Sequence, residues 1–581
     1  MLAADIQSDM RAGNLERALA NIAVLEKLAP RDASVPLMAA YALRAKGDTD
    51  GACAAFDRAL LLSPTDLKIR GTYASWLDNV GRHAASVAQY DALLDRFPNI
   101  LDARIDRELV AAKLDLASAI ERLRVLADSN GGSERAWLNL AVLYRKAGHF
   151  GNAVEACDHV LNNNAEHPNA LKIRAQALSA GGKPSAEAFE KAVEACDHAD
   201  DTLLLQMAGS LLTEGQGDRA AALIRERLTL RPDWVEGLEA LAHIRWEYLK
   251  QANFADHYEE ALKITPANSS VLISYAGILE RAIGAESTLD ILNCHRDCQT
   301  EDPQISLVLA GLYSEVAAFE EAESIFAKLD QMSPEVAIKR LRFLVQAERY
   351  EEISSETEAI RKLQSSEAWA YLTIAWRKLN DLRWDWLEGN EKLISIIDLP
   401  EASELLPALT ERLNSMHQAR ERPLAQSVRG GTQTGSVLFD NCNYPIPELK
   451  LALERAVRQH IDQLPTVDDD HPLLSKPRDA FAFSGSWSVK LRNGGFHTNH
   501  IHSHGDLSSA FYVDLPDNMN DNEGWLKLGE PAADLNTGLP PLRLIEPKPG
   551  RLVLFPSFMW HGTVPFENGE RLTCAFDVKL G

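Results

Sequence analysis

The chain has 581 residues, a length that exceeds one ordinary hydrophobic core and indicates several domains or a run of repeats. Its 60 Lys and Arg residues are outnumbered by 84 Asp and Glu residues, and the formal net charge of -24 argues against nucleic acid as a general partner, because it repels phosphates. A content of 46% hydrophobic and 25% charged residues is ordinary for a soluble globular protein.

The cysteines and the amino terminus help to predict the cellular compartment of the protein. The seven cysteines are scattered, most of them at apolar periodic positions, which predicts reduced thiols and no disulfide framework. The amino terminus has neither the charged lead nor the apolar segment of a signal peptide, and no window approaches the ~18 uncharged apolar residues of a membrane span. We therefore expect the protein in the cytoplasm, without a membrane partner.

The first 400 residues repeat with a period of 34. The period is seen in glycines and prolines that recur at equal spacing: Gly13, Gly47 and Gly81, then Pro30, Pro64 and Pro98. This period, with small residues where two helices cross and a proline after the second helix, is the tetratricopeptide signature. Six residues give the fullest match to that repeat: Trp137, Leu140, Ala141, Tyr144, Gly148 and Ala153. The 34-residue spacing is irregular between residues 98 and 148, and the repeat pattern weakens after residue 334.

Residues 1–400 are thus predicted to form an all-α solenoid. Each repeat is a pair of amphipathic helices that cannot bury their apolar faces alone, so neighbouring pairs stack and leave a concave groove. A groove of this kind predicts a protein or peptide partner. Residues 401–435 contain a further helix and then a Gly-, Thr- and Arg-rich stretch with little to bury, which is interpreted as a linker or mobile loop.

Residues 436–581 change character. A helical pattern covers Ile446 to Leu464, and from Ala480 onward the apolar period falls to two, which predicts strands. Between Asn493 and Arg571 lie five histidines and two strand-like runs. Side chains two apart on a strand share a face, so His500 and His502 can point at one ion, and a histidine from a distant strand can complete the set.

The C-terminal motifs resemble the Fe(II)- and 2-oxoglutarate-dependent oxygenases, in particular a bacterial and phage group that carries His-x-His. The resemblance covers roughly residues 480 to 581 and rests on an ordered set of motifs: His500-Ile501-His502, the strand Ser508 to Tyr512, Gly524-Trp525-Leu526, Pro547 to Gly550, Leu554 to Ser557, His561, and Arg571-x-Thr573. It implies a double-stranded β-helix, or jelly roll, with flanking helices.

The same resemblance implies the site. Fe(II) would be held by His500, His502 and His561, with 2-oxoglutarate and O₂ as co-substrates. Arg571 would hold the distal carboxylate of 2-oxoglutarate by a charge-assisted contact, and Thr573 would add a hydrogen bond. Tyr512, from the strand after the ligands, is a further candidate for binding the co-substrate or else a core residue.

Better-studied members have a carboxylate two residues after the first ligand, and a second pairing here has that form. His504 and Asp506 read His-x-Asp, but Leu507 already begins the next strand and leaves no room for a barrel corner. Both ligand pairs remain candidates.

The sequence therefore predicts a dioxygenase, in particular a hydroxylase, whose solenoid recruits a protein or peptide. Two alternatives stay open: an interaction scaffold with a non-catalytic or sensor jelly roll, and a cupin-type enzyme that uses three histidines without 2-oxoglutarate.

Overall fold

The computed structural model describes residues 2–129, 133–196, 200–295, 302–517 and 519–581. The chain divides into two compact units, residues 1–178 and 179–581. Among the described residues, no helix combines the length and the apolar character needed to cross a membrane.

The first unit is helical throughout. Its helices, the last of which reaches into the second unit, are α1 (Leu2–Arg11), α2 (Leu15–Leu28), α3 (Ser34–Lys46), α4 (Thr49–Leu62), α5 (Leu67–Asn79), α6 (His83–Leu94), α7 (Leu101–Ala111), α8 (Leu116–Ser129), α9 (Glu134–Lys146), α10 (Phe150–Leu161) and α11 (Pro168–Ala180). Small residues let the helices approach: Ala52, Ala55 and Ala59 of α4 are fully buried, and Phe56 stacks on Tyr73 of α5 at 4.7 Å between ring centroids.

The second unit begins with a further series of helices. Its helices are α12 (Ala186–Ala195), α13 (Asp201–Thr213), α14 (Gly217–Leu230), α15 (Val235–His243), α16 (Asp256–Ile264), α17 (Ser269–Ile283), α18 (Ala285–Asn293), α19 (Pro303–Glu315), α20 (Phe319–Phe326), α21 (Pro334–Gln346), α22 (Tyr350–Ser355), α23 (Thr357–Leu363), α24 (Ser366–Lys378), α25 (Pro400–Ser403), α26 (Leu406–Met416) and α27 (Ile446–Gln463). The array is an α-solenoid, as predicted.

The turns between helices explain the spacing of the glycines. Gly13, Gly47 and Gly81 have φ of 76°, 83° and 78°, a left-handed conformation that glycine adopts without strain. The same conformation recurs further along at Glu348 and Asn380, with φ of 56° and 55°. The helical repeats thus continue past residue 334, where the sequence pattern weakens because residues other than glycine take the turn position.

The C-terminal part of the second unit consists of antiparallel sheets. The strands are β1 (Ser395–Asp398), β2 (Val428–Gln433), β3 (Phe481–His497), β4 (Leu507–Asp514), β5 (Leu526–Leu528), β6 (Arg543–Ile545), β7 (Arg551–Pro556), β8 (His561–Thr563) and β9 (Glu570–Leu580). A six-stranded sheet has the order β1-β7-β4-β9-β3-β2, and a three-stranded sheet has the order β6-β5-β8. The two sheets form the jelly roll, and their facing side chains share one apolar cluster that includes Tyr512, Leu526 and Phe555.

Strand alternation sorts the residues of β9 between two environments. Leu572, Cys574 and Phe576 belong to the cluster that packs the large sheet against helices such as α27. Arg571, Thr573 and Asp577 therefore share the opposite face, which lines the barrel.

Two segments differ from the sequence interpretation. Val428–Gln433, interpreted as part of a linker, is a strand of the large sheet paired with β3. Its glycines mark close backbone approach, since a Cβ on Gly431 would clash with the carbonyl oxygen of Lys490. Ser395–Asp398, within the predicted solenoid, pairs with β7. The division into domains 1–400, 401–435 and 436–581 stays a prediction.

The last repeats pack directly on the barrel. Trp560 Nε1 donates to the carbonyl oxygen of Ala370 in α24 at 3.0 Å. Arg377 of α24 donates to the carbonyl oxygens of Gly529 and Pro540, at both ends of a loop beside the barrel. These helices and the large sheet bury one continuous apolar core.

Candidate metal centre

Three histidines from two distant segments meet inside the barrel. The main chains of His500 and His561 exchange two hydrogen bonds of 2.9 Å, which places the end of β3 beside β8. Gly562 permits this approach, because a Cβ there would clash with Asn499 Oδ1. His502 joins them through its backbone N–H, which donates to the carbonyl oxygen of Ser557 at 3.0 Å. One ligand atom from each imidazole lies within 4.8 Å of the other two.

The outer nitrogen of each ring contacts an acceptor. His500 Nδ1 lies 2.8 Å from the carbonyl oxygen of Thr498, and His561 Nδ1 lies 3.0 Å from that of Met559. His502 Nδ1 lies 2.6 Å from the carboxylate of Asp577. Each acceptor accepts a hydrogen bond from Nδ1–H, which leaves Nε2 of each ring as the atom that can bind a metal.

Burial keeps the rings of His500 and His561 neutral. Burial first, and repulsion from the neighbouring His502 second, lower the pKa of His500 to about 3. The pKa of His561 lies well below its ordinary value for the same reasons, with burial first and His500 second. A neutral imidazole is the form that binds a metal, so neither His500 nor His561 has to lose a proton before a cation binds at neutral pH.

Arg571 lies in the same cavity as the histidines. The cavity is small, about 50 Å³, and its lining includes His500, His502, His561, Arg571 and Thr573. The guanidinium is 2% exposed and donates from Nη1 to the carbonyl oxygen of Gly524 at 2.7 Å, while its Nε has no hydrogen-bond partner among the described residues.

Tyr512 lies against this guanidinium, 5.0 Å from ring centroid to Arg571 Cζ. Its hydroxyl is fully buried and makes no well-formed hydrogen bond to the described residues. Thr573 Oγ1 has a long contact of 3.5 Å with the carbonyl oxygen of Val489. Unsatisfied donors on Arg571 and Tyr512 are what a bound carboxylate would satisfy.

The donor set fits a divalent metal such as iron. His500 Nε2 and His502 Nε2 are 3.2 Å apart, and two lone pairs at that distance repel unless a cation lies between them. Three imidazoles with space beside them suit Fe(II), and a buried guanidinium with free donors suits the anionic end of 2-oxoglutarate.

The second predicted ligand pair lies elsewhere. His504 is exposed. Asp506 is buried, but its carboxylate accepts from Lys579 Nζ at 3.1 Å and from the backbone N–H of Leu580 at 2.9 Å. Neither residue belongs to the cluster of three histidines.

Sequence reasoning missed three residues of the site. His497 lines the cavity, and Ser427 Oγ lies 3.0 Å from His497 Nδ1 and 3.3 Å from His500 Nε2. Ser427 precedes β2, in the stretch interpreted as a linker, and no local signal indicated it. For Asp577 the sequence does contain an indication, because it follows Arg571 and Thr573 at even spacing and so lies on the same face of one strand.

Two family models match the chain. Residues 485–577 match a model described as "Putative 2OG-Fe(II) oxygenase", where 2OG denotes 2-oxoglutarate. Residues 134–167 match a tetratricopeptide repeat. No curated protein matches the chain.

Solved structures similar to parts of this chain include three different proteins. Yeast Tom70 is 15% identical, with a TM-score of 0.29 over 66% of this chain and 96% of its own. A complex titled Naa15/Naa10 bound to HypK-THB is 16% identical, with a TM-score of 0.34 over 80% of this chain and 74% of its own. A Pseudomonas putida prolyl-4-hydroxylase is 19% identical, with a TM-score of 0.24 over 35% of this chain and 98% of its own. By these matches, the chain contains a tetratricopeptide repeat and, near its C-terminal end, a segment similar to the family described as "Putative 2OG-Fe(II) oxygenase".

Proposed function

We propose that the protein is an Fe(II)- and 2-oxoglutarate-dependent dioxygenase, a hydroxylase, whose solenoid recruits a protein or peptide. One observation carries the proposal: three imidazole ligand atoms lie within 4.8 Å of one another, in a cavity that also contains the buried Arg571. A cation site and an anion site in one pocket suit a metal and a chelating dicarboxylate.

The proposed roles follow from the contacts. His500, His502 and His561 hold the metal through Nε2, and their Nδ1–H groups stay bonded to Thr498, Asp577 and Met559. Arg571 and Thr573 hold the distal carboxylate of 2-oxoglutarate, and Tyr512 supports the guanidinium. When bound, iron and 2-oxoglutarate supply the oxidising chemistry, in which O₂ converts the co-substrate to succinate and CO₂ and hydrogen is removed from the prime substrate.

The chain itself orients the three histidines and shields them from water. The main-chain bonds between His500 and His561 hold two ligands in register. The ring of Phe555 lies 4.8 Å from that of His561 and covers one side of the ligand set with an apolar surface. Exclusion of water there strengthens each charged contact in the pocket.

The solenoid is proposed to bring the substrate. Stacked helical repeats offer an extended surface for an unfolded segment or a partner protein. Contacts of α24 with Trp560 and with the loop from Gly529 to Pro540 support a role near the site, because they join the last repeat to residues that flank His561.

The test is iron-dependent succinate release from 2-oxoglutarate by the intact chain. We expect release that requires Fe(II), and loss of at least 100-fold in His561→Ala, because one of three ligands is gone. His504→Ala is the matched control, an exposed histidine outside the cluster, and should retain full activity. Full activity of His561→Ala would refute the proposed ligand set.

A second function has an observation in its favour: the ligand set contains no carboxylate, as in cupin-type enzymes with three histidines. Such an enzyme would not need Arg571 to hold a dicarboxylate. Arg571→Gln should raise the Kd for 2-oxoglutarate more than tenfold if the dioxygenase proposal holds, because a charge-assisted contact contributes about 1.5–3 kcal/mol. Unchanged metal-dependent activity without 2-oxoglutarate would favour the cupin type instead.

A further inference from the structure

Asp577 lies directly behind one of the three histidines. It is on β9, and its Oδ1 accepts from His502 Nδ1 at 2.6 Å and from Ser508 Oγ at 2.8 Å. Ser508 Oγ is also 2.9 Å from Ser557 Oγ. Gly505 leaves the space for this group, since a Cβ there would approach Ser557 Oγ to 2.6 Å and Asp577 Cβ to 3.1 Å. The carboxylate is therefore held in one orientation by His502 and by Ser508 of β4, which in turn contacts Ser557.

No Lys or Arg side chain among the described residues pairs with this carboxylate. Asp577 is 8% exposed, and among the described residues His502 is its only ion-pair partner. The nearby Lys579 binds Asp506 instead. A buried carboxylate is costly unless a positive charge faces it. Within the described part of the chain, the far side of the His502 ring, where the ligand atoms of the three imidazoles converge, offers a place for such a charge.

We propose that Asp577 is a positioning residue. It orients His502 and, through the hydrogen bond from His502 Nδ1–H, makes that imidazole a more electron-rich ligand for the metal. This inference rests on the proposed function, because it assumes a cation at the three histidines. Three neutral imidazoles leave the full divalent charge uncompensated, whereas two imidazoles and a carboxylate reduce it by one. A strong hydrogen bond from Nδ1–H to a carboxylate makes the imidazole a more basic, fixed ligand. Asp577 thus supplies from behind the ring the charge that a ligating carboxylate would supply at the metal.

The alignment of the strands makes this possible. Asp577 shares the inner face of β9 with Arg571 and Thr573, and Ser508 stands opposite it in the register of β4 and β9. β9 thereby carries Arg571, proposed to bind the anionic co-substrate, near one end, and Asp577, which contacts the proposed metal ligand His502, nearer the other. We expect metal affinity and co-substrate affinity to respond separately to changes at the two ends of β9.

The test is metal binding by the full-length apoprotein, measured with Co(II) under anaerobic conditions. Asp577→Asn should weaken Co(II) binding about 10–100-fold, the range found for partners that orient metal ligands, and should shift the Co(II) absorption spectrum. Ser508→Ala, which removes one donor to the carboxylate but keeps its charge, should give a smaller loss of affinity. Asp506→Asn is the matched control, because that residue is also 8% exposed and directly precedes β4, but its carboxylate binds Lys579 and the backbone of Leu580 instead of His502. It should change the Co(II) affinity less than twofold.

The outcomes separate this inference from the proposed function. If the unmodified chain binds Co(II) and releases succinate while Asp577→Asn binds Co(II) equally well with the same spectrum, the role of Asp577 is wrong and the function stands. If neither the unmodified chain nor its variants bind Co(II), the proposed function fails first. Should Asp577→Asn not fold, as judged by near-ultraviolet circular dichroism, Ser508→Ala decides: unchanged affinity and spectrum there overturn the inference.

Discussion

Replacing Tyr512 by Phe should stabilise the apoprotein and weaken co-substrate binding. The Tyr512 hydroxyl is fully buried and lacks a well-formed hydrogen bond, and such a group costs about 1–3 kcal/mol. Its removal keeps the ring, which lies 5.0 Å from Arg571 Cζ, and therefore keeps the packing. We expect the free energy of unfolding of the apoprotein to rise by about 1 kcal/mol, as measured by urea denaturation.

The same substitution, Tyr512→Phe, should lower the affinity for 2-oxoglutarate. With a carboxylate bound at Arg571, the Tyr512 hydroxyl gains a charged acceptor, and losing that bond costs about 1.5–3 kcal/mol. The Kd for 2-oxoglutarate, measured by calorimetry with Mn(II) in place of Fe(II), should rise about tenfold or more.

Tyr350→Phe in α22 is the matched control. Its hydroxyl is also buried without a partner among the described residues, but it lies outside the cavity. It should stabilise the protein to a similar extent and leave the Kd for 2-oxoglutarate unchanged. A Tyr512→Phe protein that is less stable than the unmodified chain and binds 2-oxoglutarate equally well would contradict both parts of the reasoning.

Three further changes probe other parts of the structure. Trp560→Phe removes the bond to the carbonyl oxygen of Ala370 and should lower the free energy of unfolding by about 1–3 kcal/mol, read from the urea midpoint; an unchanged midpoint would show that α24 does not support the barrel. Burial lowers the pKa of His460 to about 4, so the stability contributed by its neutral ring is complete above pH 6.5 and is lost as the pH falls through 4. His460→Gln should therefore remove up to about 3 kcal/mol of the acid-induced decrease in the free energy of unfolding, measured by urea denaturation at pH 7 and pH 4. Burial raises the pKa of Glu388 to about 7, so stability is highest below pH 4.5 and falls as the pH rises through 7; Glu388→Gln should be more stable than the unmodified chain at pH 8, and equal urea midpoints there would argue against a strained buried carboxylate.

Much of the fold follows from local patterns in the sequence. The turn glycines recur every 34 residues because each helical hairpin needs a left-handed residue at the same place, as Gly47 and Gly81 illustrate. The alternation along β9 follows from the strand period of two, which separates Leu572 and Cys574 from Arg571 and Thr573. These features depend only on neighbours along the chain, so the sequence by itself determines them.

Tertiary structure decided what the chain brings together across long separations. The approach of His561 to His500 depends on an isolated β-bridge between two segments 61 residues apart, and no periodicity encodes that pairing. The same holds for Asp577 behind His502, 75 residues away. Gly431 was ambiguous for a related reason: a glycine suits both a flexible loop and a close backbone approach, and only the position of Lys490 distinguishes the two. Local sequence sets which face a side chain occupies, whereas strand pairing sets which other side chains it meets.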